Sequence, residues 1–225
     1  MKKQYYLNLE KYSLQKFKES LINRNMIPSR IILKEAIEER FRLLDLNGVK
    51  TLKALIEELK TKQKIEDFSR KTDLSVEYLT ILKREASSYL PKPIQLRNFP
   101  GIDTTTIDAL EKMGIRNTKQ FFNEVNISGA INQISQTSGV SVGKLSELAS
   151  LSDLARLYGV GPVFARIIYD VGITSVKSFI KNTGQEFIRI YENKTKKKAD
   201  FGENDINFSI ELAKELIHKT PFSFP

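Results

Sequence analysis

An all-α fold of many short helices is predicted by three observations. Apolar residues recur at helical spacing along nearly the whole chain, alternating runs of strand type are scarce, and one stretch of sequence returns in altered form. In the first ~28 residues Leu14, Phe17 and Leu21 mark one face of an amphipathic helix. It ends near Pro28, and Ser29 is placed to cap the next helix. Phe41 and Leu44, then Leu52, Leu55, Ile56 and Leu59, continue the period. Pro91-Lys92-Pro93 disfavours helix and reads as a linker. Beyond it come Ile107, Leu110 and Met113, then Leu145, Leu148, Leu151 and Leu154, then Phe164, Ile167, Ile168 and Val171. Asn193 to Asn204 is polar and basic and reads as a loop. The tail TPFSFP is too short and proline-bounded to form a domain.

The repetition has a grammar. At an offset of 58, Leu96 falls on Leu154, Gly101 on Gly159, Gly114 on Gly172, Ile115 on Ile173, Lys119 on Lys177 and Phe121 on Phe179. At an offset of 66, Gly48 falls on Gly114, Val49 on Ile115, Lys53 on Lys119 and Leu79 on Leu145. One unit is therefore expected three times, at 30–90, 94–153 and 154–218, after an N-terminal helix at 1–29. In each, a helix ends at a glycine able to turn left-handed, a branched apolar residue follows, and Thr51, Asn117 or Ser175 caps the next helix. Such two-helix hairpins must bury their apolar sides against one another.

Composition excludes several chemistries. There is no cysteine and one histidine, His218, so disulfide frameworks, thiolate zinc sites and cysteine nucleophiles are out. A Ser-His-Asp triad would have to rest on that histidine, seven residues from the end. His218 is better read as a favourable partner for the C-terminus of the last helix. Lys+Arg is 36 against Asp+Glu 27, a net +9, which favours anionic partners. No run of about 18 apolar residues spans a membrane, and the N-terminus has no apolar core of a signal peptide, so a cytoplasmic location is expected.

Two decoys fall away. Gly139-Val140-Ser141-Val142-Gly143-Lys144 has one residue too few between its glycines for a phosphate loop, and Leu145 replaces the hydroxyl that would hold magnesium. Gly159-Val160-Gly161 follows a helix rather than a strand and lacks the third glycine of a dinucleotide fingerprint. Asp103, Asp108 and Glu111 form no convincing acid–base or metal cluster. No enzyme and no cofactor are expected.

The stretch LARLYGVGPVFARIIYDVG resembles the helix-hairpin-helix motif through Leu154, Leu157, Gly159, Val160, Gly161, Ala165 and Ile168. GIRNTKQFF and TSGVSVGKLSEL are also similar to hairpins in the C-terminal domain of the bacterial RNA polymerase alpha subunit. The whole arrangement resembles a bacterial family of tandem helix-hairpin-helix proteins of unknown function, over about 30–218. This resemblance implies non-catalytic, sequence-independent capture of the backbone of double-stranded DNA. The amides around Gly159, Val160 and Gly161 would hold a phosphate at a helix start, with Pro162 suited to the first helical position. Arg166 or Arg156 would screen it. Lys53, Lys119 and Lys177 share one position in their units, and Arg116 adds charge beside the second. A lysine in a first helical turn opposes the macrodipole, which hints at a use.

The second unit departs from the pattern, since Asp103 stands where the second glycine belongs and reads as an N-cap. The first unit has no glycine pair in IILKEAIEERF. The competing expectation is a protein–protein interaction scaffold of degenerate hairpins, in which the glycine turn serves packing, the lysines are solvated surface and Phe121, Phe122, Phe164 and Phe179 are core.

Overall fold

The computed structural model describes residues 4–218, and every regular element within them is helical. Two compact units arise: one is Leu7–Leu90, the other residues 4–6 together with 91–218. No helix of the described residues is long and apolar enough to cross a membrane. The side chain of His218 and the tail TPFSFP lie outside the described residues.

The Leu7–Leu90 unit contains α1 (Leu14–Asn23), a 3-10 turn (Pro28–Leu33), α2 (Ile37–Leu46), α3 (Leu52–Glu58), α4 (Lys62–Thr72) and α5 (Val76–Ser87). Leu14, Phe17 and Leu21 of α1 are buried together with Leu44, Leu52, Leu55, Tyr78, Leu79 and Leu82. Helices α1, α3, α4 and α5 are each started by a hydroxyl side chain: Ser13, Thr51, Thr61 and Ser75 accept a backbone amide of the first turn. Glu85, fully buried, accepts from Arg24 and Arg30 and pins the irregular segment before α2.

The second unit contains a 3-10 turn (Leu96–Asn98), α6 (Thr104–Lys112), α7 (Thr118–Val125), α8 (Ala130–Ser138), α9 (Val142–Leu154), α10 (Pro162–Asp170), α11 (Val176–Phe179), α12 (Gly184–Thr195) and α13 (Glu203–His218). Leu96, Leu110, Phe121, Leu145, Leu148, Leu154, Ala165, Ile168 and Phe179 share one core. Phe122 is buried too, and Phe164 is half-buried against the rings of Phe187 and Phe201. Asn193, Lys194 and Thr195, expected in a loop, complete α12, where a lysine in the last turn suits the dipole. Glu111 accepts from Arg97 at 3.0 Å. Gly139 ends α8 with positive φ and Ser141 caps α9, so the lysine-glycine segment there is a helix junction.

The junctions singled out in sequence share one geometry. Gly48, Gly114 and Gly172 have φ of 84°, 80° and 99°. The next residue reaches back to the carbonyl five positions earlier: Val49 to Leu44 at 3.1 Å, Ile115 to Leu110 at 2.9 Å and Ile173 to Ile168 at 3.1 Å. Those three apolar side chains are buried. Thr51, Asn117 and Ser175 then accept from Ala54, Gln120 and Ser178 amides. An apolar anchor on each side of a left-handed glycine fixes the angle between the two helices.

Candidate nucleic-acid interface

The Gly159 turn is built from below and left open above. After α9, Leu157 accepts from the Val160 amide at 3.2 Å, and Val160 drops its side chain into the core with 6 % exposure. Tyr158 is braced by α13: its carbonyl accepts from the Ser209 hydroxyl at 3.1 Å, and its ring meets Phe208 edge-on at 4.9 Å. Gly159, exposed, has φ of +75°, which a glycine adopts without strain. Gly161 is the N-cap of α10 with extended backbone and no capping side chain. A Cβ at either glycine would meet nothing within 4 Å. The start of α10 therefore presents backbone N–H groups and the positive end of a helix dipole to open space.

The corresponding turn in α6 is closed. Gly101 has φ of +79°, but Asp103 caps the helix: it accepts from the Thr105 and Thr106 hydroxyls and the Thr106 amide and pairs with Lys144 at 2.9 Å. The Thr105 hydroxyl foremost, then Lys144 and the Thr106 groups, hold its carboxyl well below the usual carboxylate range. The helix start is already occupied by an anion from its own chain.

The two arginines near the open turn are engaged by protein. Arg166 donates through Nε to the Pro100 carbonyl at 2.8 Å and pairs with Glu147 at 2.6 Å, its side chain 13 % exposed. Its guanidinium lies over Gly101, 3.5 Å from where a Cβ would stand. Arg156 is 8 % exposed, pairs with Asp153, and lies 4.3 Å above the Phe122 ring. Its Nε and Nη2 donate to the Tyr5 and Gln4 carbonyls at 3.1 and 3.2 Å.

The in-phase cations divide. Lys53, in the Leu7–Leu90 unit, is ion-paired with Glu10, whose hydrogen bond and charge raise it above the ordinary lysine value. In the other unit, a chain of contacts links two helix starts. Thr118, first in α7, meets the Tyr5 hydroxyl at 2.6 Å; Tyr5 is bonded to Arg156, Arg156 to Asp153, and Asp153 accepts from the amide of Val176, first in α11, at 2.8 Å. Lys119 and Lys177 are the next residues along those helices, and both are exposed, as is Arg116. Lys119 sits 4.7 Å above the Tyr6 ring. The glycine turn lies at the other end of α10, whose nine residues rise about 14 Å.

Sequence reasoning missed residues 4–6. Tyr5 is 4 % exposed, and burial, partly offset by the Thr118 hydrogen bond, pushes its hydroxyl up to about 12. Its partners lie 113 and 151 residues away, beyond any local spacing signal.

No curated protein and no solved structure matches the chain. Residues 100–220, from the closed α6 turn through the open α10 turn to the last helix, match a family described as Domain of unknown function (DUF4332). That is more than half of the 225 residues, and the chain belongs to this family.

Proposed function

We propose that this protein is a non-catalytic, cytoplasmic, sequence-independent binder of double-stranded DNA, built from three hairpin units of helix-hairpin-helix type of which only the last captures phosphate. The observation that carries the reading is the start of α10: two glycines with open space above them and no side-chain cap. A phosphate there accepts from backbone amides and neutralises the helix dipole, while no side chain reads a base. Lys119, Lys177 and Arg116 contribute charge nearby along the same unit, and their contacts release counterions. Arg166 acts from behind, linking α10 to the Pro100 carbonyl and fixing the turn's orientation.

The test is a duplex titration at two salt concentrations with the native chain and Gly161→Asp. Gly161 has φ of −87°, so aspartate fits without strain, and Asp103 already caps α6 from the equivalent position. The variant keeps its thermal stability and loses most of its affinity. Equal affinity in both chains removes the turn from the interface.

One observation favours the second reading, a protein-interaction scaffold. The first turn of α10 carries Pro162, Val163 and Phe164 and no cation, and Val163 is 59 % exposed. An apolar residue beside the open turn suits an apolar partner better than a phosphate. DNA affinity that is weak in both chains supports this scaffold.

A further inference from the structure

The structure assigns to the C-terminal unit a peptide-recognition groove formed by Thr118, Phe122 and Arg156, filled by the chain's own residues 4–6 and able to accept the same segment from a second copy. Residues 4–6 are a helix-free segment, bent at Tyr5 and Tyr6, whose packing belongs to the 91–218 unit, while from Leu7 onward the chain belongs to the other. They are held as a ligand is held. The Tyr5 ring is almost fully buried, meets Phe122 edge-on at 5.4 Å and ends in a 2.6 Å hydrogen bond to Thr118. Arg156 reads the backbone rather than a side chain, donating to two successive carbonyls. Lys119 covers the second ring, that of Tyr6.

A buried tyrosine with a satisfied hydroxyl and a buried arginine are the residue types that dominate binding energy at protein interfaces. Arg156 is prepared for this work by Asp153 on one side and the Phe122 ring on the other. Nothing in these contacts depends on the segment being covalently joined to this groove. In one chain the Leu7–Leu90 unit tethers the segment to its groove, so docking is intramolecular and the groove is filled in cis. The segment of another copy makes identical contacts, which is the condition for exchange between protomers. The partner this surface fits is thus a second copy of the chain, and the inference does not rest on the DNA reading.

Chymotrypsin, which cuts after aromatic residues, reads the state of the segment in the full chain. Cleavage after Tyr5 and Tyr6 should be roughly tenfold faster or more in Arg156→Gln than in the native chain, in proportion to the undocked population. Tyr5→Phe, which removes only the hydroxyl bond to Thr118, gives a smaller acceleration confined to the same sites and covers the case in which Arg156→Gln loosens the whole unit. The exchange is then tested by complementation. Arg156→Gln carries an intact segment and a broken groove, and Tyr5→Ala an intact groove and a broken segment. Mixed at about 0.5 mM each, they should form a heterodimer that neither forms alone, and the Arg156→Gln segment should regain protection, followed by mass. Equal cleavage in the native and both single-site variants overturns the groove. Accelerated cleavage without protection or heterodimer in the mixture overturns the second copy as its partner.

Discussion

At the scale of single residues, the most consequential polar group is Glu85. It is 0 % exposed and accepts from Arg24 and Arg30, whose side chains are 6 % and 27 % exposed. Desolvating a carboxylate is costly, and the two guanidinium partners offset it. Glu85→Gln keeps the shape but leaves two cations facing a neutral amide inside the Leu7–Leu90 unit. The expected loss is on the order of 3–5 kcal/mol, read as a fall in the denaturation midpoint of that unit. A change under about 1 kcal/mol would mean that water already solvates the arginines. Nothing in the local sequence announces Glu85: it sits in the helical run Lys83-Arg84-Glu85-Ala86-Ser87, and its partners are 61 and 55 residues away. Arg166 carries the same lesson. Its place near a glycine turn suggests phosphate, but Pro100 and Glu147, which hold it, become its neighbours only through tertiary packing.

At the scale of elements, what is local in sequence is legible and what is tertiary is not. The glycine, apolar and cap residues at Gly48, Gly114 and Gly172 are each within four positions, so their chemistry is written in the chain. The stretch IILKEAIEERF lacks such punctuation, yet a 3-10 turn ends at Leu33 and α2 starts only at Ile37. Ala36 turns left-handed there at φ of 44°, a conformation a non-glycine residue adopts only when its surroundings impose it. Arg40 spans that bend, donating to the Ile32 carbonyl at 2.7 Å and pairing with Glu35 at 3.5 Å. Helix starts are equally local, and α6 gives a pH test. The carboxyl of Asp103 is held below its usual range mainly by the Thr105 hydroxyl, with Lys144 and Thr106. A depressed folded value means that the stabilisation is present above the unfolded value of about 3.9 and is lost as pH falls below it. Asp103→Asn keeps an acceptor for the Thr106 amide but has no charge to lose. Between pH 5 and pH 2 the melting temperature of the native chain should therefore fall further than that of Asp103→Asn. Parallel falls would mean that other carboxylates govern the acid limb.

At the scale of the whole molecule, the proposed DNA binding would draw on charge and turn geometry differently, and salt would separate the two. The net +9 is spread along the chain: residues 1–40 carry nine positive and five negative side chains, and residues 151–225 eleven and nine. Such a distribution favours anionic partners without defining where one would dock. Each lysine that neutralises a phosphate releases counterions, so its loss lowers the slope of log affinity against log salt by about 1. A backbone amide carries no full charge, so losing an amide contact shifts affinity and leaves the slope nearly unchanged. Gly161→Ala isolates that contribution. Its φ of −87° suits alanine, and its Cβ meets no protein atom within 4 Å, so the fold is undisturbed while the methyl occupies the approach of a phosphate. Gly161→Ala should weaken binding by a similar factor at every salt concentration. Lys119→Gln and Lys177→Gln should each flatten the slope by about 1, and their effect should fade as salt rises. Lys53→Gln, whose ammonium is already paired with Glu10, should change the slope least. A flattened slope in Gly161→Ala together with unchanged slopes in both lysine variants would place the phosphate contacts elsewhere in the molecule.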